Sequence, residues 1–176
     1  PQQQNLLPAG PGDCEALERA ARNGSEDAIE SILDQVASQG LHFKKANLAT
    51  ALHAAVDGCK STAAIDNHCA CVQKLVAQDI GIDSEKRNKT ILMAAATKGY
   101  IELVDDILAL EADPNFPIEN VTPLHCAVDV KVENKDVVDL LIEKGANINA
   151  LTKNDGMTPL MMAVQRGHVN IVRALV

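Results

Sequence analysis

The chain repeats itself. A Thr followed two residues later by Leu, with alanines close behind, starts at Thr50, Thr90, Thr122 and Thr158, at spacings of 40, 32 and 36 residues. Self-similarity at such a period constrains architecture more than any local propensity, because each unit must be one supersecondary element that leans on its neighbours. The four starts read Thr50-Ala51-Leu52-His53-Ala54-Ala55, Thr90-Ile91-Leu92-Met93-Ala94-Ala95, Thr122-Pro123-Leu124-His125-Cys126-Ala127 and Thr158-Pro159-Leu160-Met161-Met162-Ala163. Each is followed by a second apolar cluster: Val72/Leu75/Val76, Leu103/Val104/Ile107/Leu108, Val137/Val138/Leu140/Leu141 and Ile171/Val172/Leu175. The Thr hydroxyl suits a helix start, where it can accept from free backbone N–H groups, and Pro suits the first helical position, which needs no N–H. Gly99 and Gly167 fall where a first helix ends and a left-handed residue closes it. Aliphatic pairs one turn apart give the second helix a broad apolar stripe. One such helix pair cannot bury that stripe alone, so the units must stack.

These residues resemble the ankyrin repeat, whose motif begins T-P-L-H-x-A and runs through G-H to G-A-D-x-N. The best match runs from Asp155-Gly156-Met157-Thr158-Pro159-Leu160 through Gly167-His168, and Asn120 to Asn149 is nearly as good. The resemblance spans residues 13–176 and implies an all-α solenoid of about five stacked helix-turn-helix units with hairpin-like tips. Their expected bounds are 13–43 (a degenerate cap), 44–83, 84–116, 117–151 and 152–176, after a flexible segment at 1–12. Departures from the pattern predict local differences. Extra residues at Cys59–Ala70 and Val130–Asn134 should lengthen the connections between paired helices. Glu111 stands where the second helix usually ends in Gly, so that turn should be strained. The last unit stops inside its second helix, and together with the absence of an initial Met this predicts a fragment with further repeats or another domain beyond it.

Composition removes several functions. The formal charge of −8 argues against direct nucleic-acid binding by bulk attraction, and an aromatic content of 2% leaves little for base stacking. No run approaches the roughly 18 apolar residues of a membrane span, and the N-terminus lacks the basic start and apolar core of a signal peptide. Five cysteines, an odd number without framework spacing, predict an intracellular protein, cytoplasmic or nuclear.

Little here could do chemistry. Cys59, His68, Cys69 and Cys71, with His53 near in sequence, could be soft metal ligands, but their spacing matches no familiar zinc set and Cys71 aligns with a core position; inert buried thiols, with no metal, are the expectation. His125-Cys126 suggests a base beside a thiol, yet neighbours on a helix point about 100° apart and would not face one another. The resemblance makes His53 and His125 structural, and His168 a match to the family's Gly-His. No phosphate-binding loop, dinucleotide fingerprint, zinc-protease or nucleophile-elbow motif occurs. The chain is expected to be no enzyme and to use no cofactor.

One charge feature stands against the acidic background: Lys86-Arg87-Asn88-Lys89, followed by Lys98. In ankyrin-type folds the hairpin tips and the exposed parts of the first helices form the usual concave binding surface. By position, the resemblance nominates Lys86, Arg87, Lys89, Thr97 and Lys98, then Ile118, Glu119, Val121, Asp129 and Val130, then Asn154, Asp155, Met157, Gln165 and Arg166. A basic centre flanked by Glu119, Asp129 and Asp155 would suit a partner protein with a mainly acidic stripe; the competing reading is a solvated loop. The implied function is protein recognition in a regulatory or scaffolding protein. The alternatives are the recruiting arm of an enzyme or ubiquitin-ligase adaptor whose active part lies elsewhere, and a working surface made by the two lengthened connections. The family also implies a possible hydroxylation at Asn149, with Leu141 eight residues before it; the plain reading is an Asn that bonds its own turn.

Overall fold

The computed structural model describes residues 7–59, 64–78, 82–83 and 89–176. They fall into two compact units, Pro1–Gly81 and Ile82–Val176. Among the described residues both are helical apart from a pair of two-residue strands in the first.

In the first unit, α1 (Pro11–Arg22) and α2 (Glu26–Ser38) make one helical pair, and α3 (Lys45–Gly58) and α4 (Ile65–Val76) the next. α1 packs on α3 and α2 on α4, burying Leu17, Ile29, Leu52, Val72 and Leu75 completely. Alanines at 20, 21, 51 and 55 keep the α1–α3 contact thin. The approach is closest at the end of α3, where a Cβ on Gly58 would lie 1.9 Å from the Arg22 carbonyl oxygen.

This unit differs from expectation in three places. Residues 7–12 carry regular structure. Leu7–Pro8 (β1) pair in parallel with Leu41–His42 (β2), the Ala9 N–H donates to the His42 carbonyl at 2.7 Å, and α1 opens with Pro11 at its start and Asp13 accepting from the Gly10 N–H at 3.1 Å. The Pro-Gly run that reads as a linker is a helix start; residues 1–6 lie outside the described residues. Thr50 caps nothing. Lys45-Ala46-Asn47-Leu48-Ala49 holds no helix breaker, so α3 begins ahead of Thr50, whose hydroxyl donates back to the Ala46 carbonyl at 2.9 Å. The long connection is also shorter than expected, because Ile65–Ala70 belong to α4. Ile65, Cys69 and Val72 recur at i, i+4 and i+7 and are all buried, the spacing of a helix stripe. Residues 60–63 of the connection lie outside the described residues.

The second unit stacks three helical pairs: α5 (Ile91–Lys98) with α6 (Ile101–Ala109), α7 (Pro123–Val128) with α8 (Lys135–Glu143), and α9 (Pro159–Arg166) with α10 (Val169–Leu175). First helices touch in the order α5, α7, α9 and second helices in the order α6, α8, α10. Leu92, Leu103, Ile107, Leu124, Leu141 and Ile171 are completely buried between them. The local signals act as read. Thr90 and Thr158 accept from the N–H of Met93 and Met161 at 3.2 Å, and Gly99 and Gly167 close α5 and α9, each at φ 75°. Glu111 takes the same left-handed conformation, φ 65°, after α6. It completes the terminal bonds from its own N–H to Leu108 (3.0 Å) and from Ala112 to Ile107 (3.4 Å), at the steric cost of a Cβ and with a negative charge at the negative end of the helix.

Two substitutions test this packing by equilibrium urea unfolding. Glu111→Gly should stabilise the chain by about 1 kcal/mol, since relief of left-handed strain outweighs the added chain entropy. Gly58→Ala should destabilise it by about 2–3 kcal/mol, because the atom it meets is backbone and cannot turn aside.

Candidate protein-recognition face

The tips joining successive pairs in the second unit are tied to one another by side chains that bond backbone. Asp83 accepts from the Asp113 N–H at 3.2 Å, and the Asp113 carboxylate accepts from the Asn115 N–H at 2.8 Å. One unit on, Asn115 Oδ1 accepts from the Asn147 N–H at 2.7 Å while its Nδ2 donates to the Gly145 carbonyl at 2.9 Å. Asn147 Oδ1 then accepts from the Asn149 N–H at 3.0 Å. Partial burial raises the Asp83 carboxyl above its ordinary value, against the lowering effect of the N–H it accepts.

His125 makes the next tie. Its Nδ1 accepts from the Thr122 N–H at 3.2 Å, which leaves the ring proton on Nε2, and Nε2 donates to the Met157 carbonyl at 3.2 Å. Burial is the main cause holding its pKa below the ordinary 6.5. Met157 sits in a turn closed from both sides: Thr152 N–H donates to its carbonyl at 3.1 Å, and its own N–H donates to the Thr152 hydroxyl at 2.9 Å. That hydroxyl donates in turn to Asp155.

The tip of the fourth repeat is a two-residue hairpin. Ile118 and Val121 exchange both backbone bonds, at 3.0 and 2.9 Å, and the residues between them, Glu119 (φ 52°) and Asn120 (φ 63°), are both left-handed, as the tightest hairpin turn requires. The turn folds Ile118 inward. It is 8% exposed and packs with Met93 and Cys126, so its nomination as a contact residue is corrected: it belongs to the core, with Val121 half-buried against the same cluster.

The other nominees divide. Lys89, Lys98, Glu119, Asn154, Asp155 and Gln165 are exposed and Met157 half-buried; Lys86 and Arg87 lie outside the described residues. Thr97 is half-buried and its hydroxyl donates to the Met93 carbonyl at 2.8 Å. Asp129 and Arg166 are exposed but hold each other, with Arg166 Nε 2.8 Å from Asp129 Oδ1, an ion pair about half in solvent and so of small stabilising value. Val130 is buried, and its carbonyl accepts from His168 Nε2 at 3.0 Å. A second residue of that lengthened connection is also engaged. Glu133 accepts from the Ile171 N–H at 2.8 Å and from Asn170 Nδ2 at 2.9 Å, and the first of these bonds holds its carboxyl below the ordinary value. Val130 and Glu133 tie the connection to the next repeat, while Lys131 and Val132 between them stay exposed.

Comparison with known proteins now decides the family. The profile described as ankyrin repeats (3 copies) matches residues 60–152 and 120–176, about two thirds of the chain. The chain belongs to the ankyrin-repeat family. Its ankyrin repeats are similar to those of the Ankyrin repeat and KH domain-containing protein mask-1 of Caenorhabditis elegans, 30% identical over 114 residues, 65% of this chain and 4% of that protein. They are also similar to Alpha-latrotoxin-Lt1a of Latrodectus tredecimguttatus, 36% identical over 90 residues, 49% of this chain and 6% of the toxin. A third relative is the Ankyrin repeat, SAM and basic leucine zipper domain-containing protein 1 of Dasypus novemcinctus, 33% identical over 109 residues, 60% of this chain and 23% of that protein. The chain thus spans under a quarter of each relative's length. Ankyrin repeats are in general protein–protein interaction modules.

Elsewhere the ankyrin repeats use their reactive residue types as structure. Cys59, Cys69 and Cys71 are buried and in no disulfide. Burial first, and the charge of Glu26 second, push the Cys71 thiol up to about 11, so it stays protonated. The His68 ring nitrogens lie 2.7 Å from the Ala64 carbonyl and 3.3 Å from that of Arg22. No three His, Cys, Asp or Glu side chains stand together as a metal site among the described residues, and no helix among them is long and apolar enough to cross a membrane. Asn149 is exposed and Leu141 completely buried. The tip ladder and the Glu133 joint were not singled out in the sequence, although a signal for the ladder was there: Asp83 and Asn115 each stand seven residues before a repeat's Thr, at 90 and 122.

His125 gives this site a pH dependence of known sign. The unfolded histidine takes its proton near 6.5 and the folded one only at lower pH, so the stability it contributes is complete above 6.5 and declines as pH falls toward the folded value. Thermal unfolding at pH 7 and pH 5 should show a larger loss for the parent than for His125→Gln, which does not titrate.

Proposed function

We propose that this chain binds another protein through the inner face of residues 82–176, formed by the hairpin tips, the exposed ends of α5 and α9 and the exposed Asp129 that follows α7, and that it acts by recognition with no bond made or broken. The observation that carries this reading is the tip ladder. Asp83, Asn115 and His125 each reach across one repeat to a backbone group of the next, so the face is held in one shape before a partner arrives. A preformed surface loses little conformational entropy on binding. The exposed Lys89 and Lys98, with Lys86 and Arg87 beside them in sequence, favour a partner carrying an acidic stripe, while Glu119 and Asp155 give the flanks the opposite sign. None of the five cysteines is in a disulfide, which supports a reducing, intracellular setting. The greater length of the relatives supports a second reading, in which such a face recruits a substrate for an activity housed in a larger protein.

Affinity capture from cell lysate, with mass-spectrometric identification, tests the face. A partner held by the parent should be lost by a variant carrying Lys86→Glu, Arg87→Glu, Lys89→Glu and Lys98→Glu, once both are shown to melt alike. Equal capture by the two overturns the assignment.

A further inference from the structure

We infer that the inner face carries a socket for a single acidic side chain, a glutamate of the bound protein, whose stem packs on Val121 and Met162 and whose carboxylate meets Lys89. The inference rests on the inner-face reading above and adds the chemistry of one contact. A cavity of about 190 Å³ opens between the first helices and the tips, below the roughly 300–1,000 Å³ of sites for drug-sized ligands. It suits one side chain of a larger partner.

Its chemistry follows by elimination. Both His125 nitrogens are committed, one to Thr122 and one to Met157. The Thr97 hydroxyl donates to the Met93 carbonyl and is in hydrogen-bond contact with the Cys126 thiol. That thiol is 7% exposed, and burial pushes its pKa up against the opposing pull of Lys89, so the floor it forms is neutral. Asp129 on the rim has its charge offset by Arg166, which bonds its Oδ1 and leaves Oδ2 to solvent. Among the polar groups lining the cavity this leaves Lys89, which is exposed and takes part in no ion pair among the described residues. The remaining surface is the half-buried pair Val121 and Met162, the latter a side chain that reshapes readily around a guest. An apolar wall beneath one unspent cation selects an aliphatic stem ending in an anion. The formal charge of −8 over the whole chain gives such a partner no long-range attraction, so discrimination is made at contact.

Methyl-detected NMR titration of the full chain at fixed ionic strength tests the socket, with N-acetyl-glutamate N-methylamide and its glutamine counterpart as probes. The glutamate probe should shift the Val121 and Met162 methyls saturably, with an affinity about two- to fivefold above the glutamine probe. Lys89→Met, which keeps the aliphatic stem, should erase that preference. Equal affinities in the parent, saturation without movement of these methyls, or an undiminished preference in Lys89→Met each overturn the socket. A captured partner that is lost by the fourfold Glu variant yet held fully by Lys89→Met overturns it too, while leaving the inner-face reading in place.

Discussion

The helices of the second unit are six to nine residues long, and isolated helices shorter than about 12–15 residues are marginal in water. Their persistence therefore depends on the neighbouring pair, which supplies the missing apolar partner and much of the missing hydrogen bonding. Leu92, Leu124 and Leu141 are completely buried because adjacent pairs cover them. The same dependence explains why side chains so often bond the backbone one repeat away: His168 to Val130, Glu133 to Ile171, Asn115 to Asn147 and Gly145. Each bond satisfies a backbone group that a short element leaves exposed at its end.

That constraint also shapes what the surface can do. A tip stitched to the next tip cannot adapt freely to a partner, so the proposed inner face would recognise by fit and by placement of charge. Much of the charge is already spent. Asp129 and Arg166 neutralise each other, Lys135 pairs with Asp139, and Lys144 with Asp105. The charges that remain for a partner are fewer than a count of exposed Lys, Arg, Asp and Glu suggests.

Where the chain signals through local chemistry, its structure was legible. Thr90, Thr158, Gly99 and Gly167 sit at helix ends for reasons visible in single residues, and Glu111 announced a left-handed turn by its place alone. Legibility failed where a longer context outweighed the motif. Thr50 carries the same short pattern as Thr90, but the breaker-free residues before it extend α3 and move the helix start upstream. Ile118 occupies a surface position of the family, and the two left-handed residues after it turn it into the core. The Asp129–Arg166 pair joins residues 37 apart, a pairing that no single-sequence pattern marks. The ladder stood between these cases, since its offset from the repeat's Thr was visible while its partners were not.

The central claim is that inter-repeat bonds to backbone hold the inner face in one shape. Amide hydrogen exchange at Asn147, compared between the parent and Asn115→Ala, tests it most directly. Asn147 is an exposed tip residue, so an unbonded amide there would exchange freely. The account predicts protection in the parent, a loss of about tenfold or more in Asn115→Ala, and no change at Leu124 in the core. Rapid exchange in the parent, or protection that survives the substitution, would contradict it.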